Sequence, residues 1–348
     1  MPASITATSA KPATSASAPA SPKPAASGAA TAKPSGPAIS TAHQGSIADI
    51  ATYAALDRGY FAAAGVNPEL QLFKTSGDEI PVLASGQLLI GAGGINAGLF
   101  NAIAQGIPMS IAADQNYDPA SFGGTGWFVR EDLADNMKDP KDLKGKVIGM
   151  GSTGSVIDTE LDALLRQGGL TLNDVTLKSL PYADQVTAMS NKGIDIAYSF
   201  QPFSTVMVSQ KLARLWKSSG QVIPNREATV VLYSPALLDK NQEAAKAWMV
   251  GYLKGVRDVV SEYQKNQQVL PDDLIALMVK YSAVKDPNQL KIIKLPGMNP
   301  DGYAFKDSLK TDLDYFTRAG LVKKAPDLDK VVDNSFVDYA ISKLGKYA

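Results

Sequence analysis

The sequence holds few residues that could perform covalent chemistry. Its 348 residues include one histidine, His43, and no cysteine. Without cysteine the chain cannot have thiol nucleophiles, disulfides, iron–sulfur clusters or Cys-ligated zinc, and one histidine excludes multi-histidine metal sites. A Ser-His-Asp triad would have to use His43, but no motif ties a nucleophile to that residue. The residue types therefore predict a protein that is not an enzyme and needs no metal or cofactor.

One glycine-rich segment has the spacing of a phosphate-binding loop. Residues 149–154 read Gly-Met-Gly-Ser-Thr-Gly, which has the form G-x-G-x-x-G between a predicted strand and a predicted helix. A dinucleotide site would also need an acid at the end of the next strand, roughly 20 residues further on. That strand ends instead in Leu180-Pro181-Tyr182. We therefore interpret the loop as a set of N–H donors for a polar group of some other ligand.

The charge of the chain is balanced. Residues 39–348 contain 31 basic and 34 acidic side chains, without a basic stripe. Nucleic-acid binding that does not depend on sequence requires such a stripe, so no nucleic-acid partner is expected. No window approaches the roughly 18 consecutive apolar residues of a membrane-spanning helix.

The first 38 residues have a different composition from the rest. Ala, Pro, Ser, Thr and Lys make up 34 of them, with no acidic or aromatic residue. Such a segment cannot bury a core, and we expect residues 1–38 to be a disordered tether. Acid-free tethers commonly follow an export or lipid-attachment signal. The composition thus favours a periplasmic or otherwise extracytoplasmic protein, lipid-anchored through a removed amino-terminal signal; a disordered tail on a cytosolic protein is the alternative.

The elements that would position functional residues alternate between strands and helices. Short apolar runs and helical patterns follow one another over residues 38–113 and again over 146–200, which predicts βαβ units and parallel sheets. One helix is predicted over 47–64, ending at Gly65. Residues 116–144, rich in Asp, Gly and Pro, have the composition of a crossing between two lobes.

The last third of the chain is predicted to be helical. Its longest pattern covers residues 241–264 and places six apolar residues on one face: Trp248, Tyr252, Val256, Val259, Val260 and Tyr263. A helical carboxyl-terminal region of this kind usually packs on an α/β lobe that is already formed.

Four stretches together have a familiar order and spacing. They are Ala54-Ala55-Leu56-Asp57-Arg58-Gly59-Tyr60-Phe61, Asp142-Leu143-Lys144-Gly145-Lys146, Gly193-Ile194-Asp195-Ile196-Ala197 and Gln201-Pro202-Phe203. With these, the chain resembles the substrate-binding proteins of ABC importers for alkanesulfonates, nitrate, taurine and thiamine pyrimidines. The resemblance extends over nearly all of residues 39–348. It departs at Gln201, where the family usually has a glutamate, so a carboxylate contact from this position is not expected.

The resemblance implies a type II periplasmic-binding-protein fold, in which two α/β lobes joined by two crossings enclose a ligand cleft. We expect lobe 1 to comprise residues 39–115 and 236–348, and lobe 2 residues 116–235. It also implies a monomeric receptor that captures a small molecule and delivers it to an ABC permease. The alternative is an enzyme on the same scaffold, for thiamine-pyrimidine or menaquinone-precursor synthesis. The thiamine-pyrimidine synthases carry a cysteine-rich motif that this chain lacks.

Candidate ligand contacts follow the predicted strands, because ligands of open α/β sheets bind beyond the carboxyl ends of the strands. In lobe 1 these are His43, Gln44, Ser46, Asp49, Ser76, Gly94, Asn96 and Gln115; in lobe 2 they are Ser152, Thr153, Ser155, Tyr182, Phe200, Gln201 and Phe203. None is Lys or Arg, although anion sites commonly use a cationic side chain. A small organic solute with an aromatic or heteroaromatic body is therefore expected. Ser155 as a helix cap, and Phe200 and Phe203 as core residues, remain alternatives.

Overall fold

Two five-stranded sheets organise residues 36–151, 153–282 and 284–348, the part of the chain that the computed structural model describes. The strands are β1 (Ala38–His43), β2 (Asn67–Leu72), β3 (Ile90–Gly94), β4 (Ser110–Asp118), β5 (Gly126–Arg130), β6 (Val147–Met150), β7 (Thr176–Ser179), β8 (Ile196–Ser199), β9 (Ala213–Ser218) and β10 (Arg226–Tyr233). Their order is β2-β1-β3-β10-β4 in the first sheet and β7-β6-β8-β5-β9 in the second. The predicted pair of α/β lobes is thus confirmed.

The sheets are mixed, which corrects the prediction of parallel sheets. β1 pairs in parallel with β2 and β3, and β6 with β7 and β8. β10 runs antiparallel to β3 and β4, and β5 runs antiparallel to β8 and β9. The reason is the route of the chain. β5 and β10 each begin just after the chain has crossed from the other lobe. Each enters its sheet from the end at which the parallel strands finish, so it runs in the opposite direction to them.

The two crossings define the boundaries between the lobes. The chain leaves the first sheet after Asp118 and returns to it at Arg226, so the crossings are residues 119–125 and 219–225. The predicted lobe boundaries are wrong at two points, because residues 116–118 belong to β4 and residues 226–233 belong to β10. The second boundary is wrong because β10 is a buried strand in the middle of the first sheet. Val230, Val231 and Leu232 of β10 are at most 1% exposed between β3 and β4.

Helices cover both faces of each sheet. They are α1 (Ile50–Asp57), α2 (Tyr60–Ala64), α3 (Ser76–Ala84), α4 (Ala97–Ala104), α5 (Val156–Gln167), α6 (Tyr182–Ser190), α7 (Phe203–Ser209), α8 (Ser219–Val222), α9 (Pro235–Lys240), α10 (Gln242–Lys265), α11 (Asp272–Tyr281), α12 (Pro287–Lys291), α13 (Lys306–Arg318), α14 (Leu328–Val331) and α15 (Ser335–Leu344). Short 3-10 turns cover Ile47–Asp49, Glu131–Asn136, Pro140–Leu143 and Leu172–Asp174. The helix predicted over 47–64 is divided, because Gly59 adopts a left-handed conformation (φ 72°) between α1 and α2.

The long helix α10 forms the centre of the larger core of lobe 1. Trp248, Tyr252, Val256 and Val259 on its predicted apolar face are buried. Trp248 stacks on Tyr252 and on Phe61 of α2, with ring centroids 5.0 and 5.3 Å apart. The helical end of the chain therefore packs on the first sheet, as predicted.

Most of the predicted tether lies outside the described residues, which begin at residue 36. Among the described residues, no helix combines the length and the apolar composition required to cross a membrane.

Candidate functional site

Ser76, at the start of α3, joins the loops that follow β1 and β3. Its Oγ accepts a hydrogen bond from Gln44 Nε2 at 2.8 Å and another from the backbone N–H of Gly94 at 2.6 Å. Three of the predicted contacts, Gln44, Ser76 and Gly94, therefore lie together at the carboxyl edge of the first sheet. This is the edge at which a ligand of an α/β sheet is expected.

Asp49 organises the loop between β1 and α1. Its carboxylate accepts hydrogen bonds from the backbone N–H groups of Gln44 and Ser46 (3.1 and 2.9 Å) and from Gln115 Nε2 (3.2 Å). The side chain is 1% exposed, and burial raises its pKa to about 6. Ser46, Asp49 and Gln115 thus stabilise the loop, and their side chains are largely engaged within the protein.

His43 points to a different helix from Gln44, its neighbour in sequence. The Nδ1 of the half-buried imidazole lies 2.8 Å from the hydroxyl of Tyr53 on α1, and the two rings meet edge to face. Burial lowers the pKa of His43, which favours the neutral imidazole.

Glu79 is a buried acid in the same loop region that the sequence reasoning missed. It lies between α3 and the first sheet, fully buried, and no side chain donates a hydrogen bond to its carboxyl group among the described residues; the backbone N–H of Ala92 is close enough to lower its pKa slightly. A side chain on Gly93 would collide with its Oε1, with Ser76 Oγ and with Gln44 Nε2. Burial raises the pKa of Glu79 to about 8. Its spacing from Leu83, four residues further on, places Glu79 on the buried side of α3 and could have indicated a buried acid.

In lobe 2, the predicted polar contacts lie at the start of α5. Ser155 caps this helix: its Oγ accepts from Ile157 N at 3.4 Å, and Asp158 accepts from Ser155 N at 3.1 Å. The capping interpretation of Ser155 is therefore correct. Thr153 is exposed beside it, whereas Ser152 lies outside the described residues.

Three aromatic side chains form a cluster next to this helix start. The ring of Tyr182 lies 4.4 Å from Phe200 and 6.2 Å from Phe203, and the two phenylalanine rings are 6.0 Å apart. All three side chains are partly exposed, while Tyr182 and Phe200 also pack against the core of lobe 2.

The loops of the two lobes touch directly. Asn96, which caps α4, forms a β-bridge with Ser155, and the backbone N–H of Ala97 donates to the carbonyl of Gly154 at 3.0 Å. On another side, Gln201 Oε1 accepts from the backbone N–H of Lys294 at 3.0 Å. The structure therefore brings predicted residues of both lobes to one interface, with the first turns of α4 and α5 facing each other.

A family model described as NMT1/THI5 like matches residues 48–265 of the sequence. The chain belongs to the NMT1/THI5-like family. No curated protein sequence is significantly similar to it.

Solved structures that share the fold of this NMT1/THI5-like chain include two periplasmic binding proteins and an enzyme. The nitrate-binding protein NrtA from Synechocystis PCC 6803 is 15% identical, with a TM-score of 0.71 over 88% of this chain and 89% of that one. The aliphatic sulphonate-binding protein SsuA from Escherichia coli is 19% identical, with a TM-score of 0.67 over 85% and 92%. The desulfurization enzyme DSZB is 15% identical, with a TM-score of 0.63 over 88% and 99%. These likenesses confirm the predicted fold class.

The crossings of this NMT1/THI5-like chain enclose a buried ionic cluster that the sequence did not reveal. Arg226 Nη1 lies 3.2 Å from Asp118 Oδ2 and 2.8 Å from Glu160 Oε1, and all three residues are at most 1% exposed. Trp127 Nε1 donates to the other Glu160 oxygen at 2.9 Å. Because Glu160 and Trp127 belong to lobe 2, the cluster joins that lobe to the ends of β4 and β10.

The cluster contains more acids than bases. Asp312 of α13 is also buried near Arg226, and burial raises the pKa values of Asp118 and Asp312 to about 7. Burial likewise raises the pKa of Glu160. A single guanidinium therefore compensates three carboxyl groups from both lobes, and the remaining negative charge is removed most cheaply by protonation.

Two surface depressions are present on lobe 1, and the second includes Asn96 in its lining. One, of about 760 Å³, is lined by residues that include Val66, Asn241 and Tyr339; the other, of about 320 Å³, lies between α3 and α4. Neither contains the aromatic cluster.

We predict that Glu79→Gln stabilises the protein at high pH. Because the folded pKa is about 8 against 4.5 in the unfolded chain, folding keeps a proton that unfolding releases between these values, and wild-type stability falls as pH rises through this window. The variant should lack that loss and exceed wild type by a few kcal/mol at pH 9, with little difference at pH 4. Urea unfolding at pH 4, 7 and 9 measures this. Glu69→Gln, at an exposed position of β2, is the control; an equal gain there would refute the assignment.

We also predict that Arg226→Met strongly destabilises the fold. Removing the guanidinium leaves Asp118 and Glu160 buried without their cation, at a cost of about 3–5 kcal/mol. The matched control is Arg214→Met, because Arg214 pairs with Glu131 and Asp135 at the surface; such pairs contribute about 1 kcal/mol or less. Equilibrium urea unfolding of both variants gives the comparison. Equal midpoints for the two would show that the buried cluster does not stabilise the fold.

Proposed function

We propose that the protein is an extracytoplasmic receptor that captures a small organic solute between its lobes and delivers it to an ABC importer. The observation that supports this most is the direct apposition of the first turns of α4 and α5 through Asn96 and Ser155. A solute held there would contact both lobes only when they are closed. Ligand binding would therefore shift the population toward the closed form, which is what a transport receptor must signal.

The residues at the interface suggest how recognition is divided. The partly exposed rings of Tyr182, Phe200 and Phe203 offer apolar faces to a flat body. Most N–H groups at the starts of α4 and α5 are already bonded within the protein, so side chains would supply most of the polar contacts. Gln44, Thr153 and His43 are the side chains whose polar atoms are least committed to the protein itself. We therefore propose an aromatic or heteroaromatic solute with a few polar substituents.

Two other proposed contacts, Asn96 and Ser155, also cap helices, which affects how their variants must be interpreted. Asn96 accepts from Leu99 N at 3.0 Å as the cap of α4, and Ser155 caps α5. Replacing either by alanine should cost about 1 kcal/mol of stability even without solute. A loss of binding at Asn96 or Ser155 is therefore informative only beside the stability of the unliganded variant.

The cellular setting follows from the same proposal. The fold is shared with proteins named as the periplasmic sulphonate-binding SsuA and the periplasmic nitrate-binding NrtA. We propose the same compartment for this chain, in which it would act as a monomer. The importer's permease would be its protein partner.

A thermal-shift screen tests the proposal. The panel should contain aromatic acids and amides, pyrimidines, alkanesulfonates, taurine, nitrate and amino acids. A cognate solute at 100 times its dissociation constant should add roughly 2.7 kcal/mol to the free energy of unfolding. We predict that Tyr182→Ala reduces affinity for the stabilising compound about tenfold, because it loses an aromatic contact of about 1.5 kcal/mol.

Tyr339→Ala is the matched control, since Tyr339 lies on α15 away from the interface. Affinity must be unchanged in that variant. Mass spectrometry of the stabilising compound after prolonged incubation separates the receptor from an enzyme. DSZB shows that a desulfurization enzyme can have this fold. Recovery of a converted product, or failure of every compound to stabilise the protein, would refute the receptor proposal.

A further inference from the structure

The side chains of His43, Tyr53 and Asp49 lie behind the first loop, with the Tyr53 hydroxyl between the other two. His43 Nδ1 lies 2.8 Å from Tyr53 Oη, and Tyr53 Oη lies 3.4 Å from Asp49 Oδ2. Tyr53 is fully buried and is held in place by stacking on Tyr281, with ring centroids 5.1 Å apart. Its hydroxyl therefore has a fixed position between an imidazole and a carboxylate.

Tyr53 has one hydroxyl proton and two neighbours that could accept it. The distance to His43 is that of a full hydrogen bond, whereas the distance to Asp49 is at the outer limit of one. Asp49 already receives N–H groups from Gln44, Ser46 and Gln115. Nδ1 of His43 has Tyr53 as its sole hydrogen-bond partner among the described residues. Both observations direct the proton toward the imidazole.

The tautomer of His43 follows from this direction. A neutral imidazole that accepts at Nδ1 must hold its proton on Nε2. Burial lowers the pKa of His43, which keeps the ring neutral at pH 7. Nε2 makes no hydrogen bond within the described residues, so its N–H is free at the carboxyl end of β1.

We propose that Tyr53 is a positioning residue that fixes His43 as an N–H donor, and that Nε2–H of His43 binds an uncharged oxygen acceptor, such as an amide carbonyl, of the solute. The solute part of this inference rests on the proposed receptor function. A carbonyl is favoured over a carboxylate or sulfonate because the buried Asp49 carboxyl lies behind the same tyrosine. An anion at His43 would meet the field of that carboxylate in a poorly hydrated place. An ammonium group has no lone pair for the N–H to bind.

The tautomer can be measured without any solute. His43 is the single histidine of the chain, so nitrogen-15 NMR of protein labelled at histidine and purified without a polyhistidine tag gives one imidazole. We expect a protonated Nε2 and an unprotonated Nδ1 whose shift shows a hydrogen bond. Protonation at Nδ1 with a bare Nε2 would overturn the proposal, because Tyr53 would then donate to Asp49.

Tyr53→Phe tests the positioning role. The Nδ1 resonance should move to the shift of an imidazole nitrogen without a hydrogen bond, while the backbone spectrum stays folded. Tyr60→Phe is the matched control, because the Tyr60 hydroxyl bonds Asp258 on α10. An Nδ1 shift unchanged in Tyr53→Phe would overturn the proposal. If Tyr53→Phe does not fold, the wild-type tautomer still decides the question.

Three small probes that share a phenyl ring and differ in their polar group test the solute class. They are benzamide with an amide, benzoate with a carboxylate and benzylamine with an ammonium group. We expect benzamide to move the Nε2–H resonance with a dissociation constant about tenfold or more below that of benzoate, and benzylamine not to move it. Stronger binding of benzoate or benzylamine at this resonance, or no movement with any probe, would overturn the carbonyl assignment. None of these results alters the receptor proposal, which depends on the wider solute screen and on turnover.

Discussion

The buried contact of Arg226 with Asp118 and Glu160 is the constraint on which the two-lobed arrangement depends. Arg226 begins the strand that returns to the first sheet, and Asp118 ends the strand that leaves it. Glu160 belongs to α5, the helix whose first turn faces α4. A single guanidinium thus fixes both crossings relative to the helix that lines the interface. Because an uncompensated charge here would be very costly, the cluster restricts how the lobes can be oriented.

Hydrogen bonds within lobe 1 organise the loops at the carboxyl ends of its strands. Asp49 gathers backbone N–H groups of the loop after β1, and Ser76 links that loop to the one after β3. After these bonds are made, His43 Nε2 and the side chain of exposed Thr153 make no hydrogen bond among the described residues. A small set of uncommitted groups on a rigid frame is what selective binding of one organic solute requires. Buried Glu79 adds a neutral acid behind the same loops.

Local patterns in the sequence predicted much of this structure, and long-range partners account for the rest. Apolar runs predicted the strands that precede residue 200, and the polar residues after them include Asn96 and Ser155, which begin the two helices that meet. The pattern gave no element for residues 213–233, which form β9 and β10. Arg226 could not be recognised either, because Asp118 is 108 positions away along the chain. The tertiary fold, rather than the neighbouring sequence, determines the direction in which a strand runs and the partner with which a buried charge pairs.

Closure of the two lobes around a solute is tested most directly by distance measurement in solution. The chain lacks cysteine, so Glu69→Cys on β2 and Thr176→Cys on β7, both exposed, place one spin label on each lobe. Without solute, pulsed electron–electron double resonance should give a distance distribution that is broader or shifted to longer distances. With a saturating amount of the most stabilising compound, it should give a single short distance. Saturating binding with an unchanged distribution would contradict closure as the basis of function.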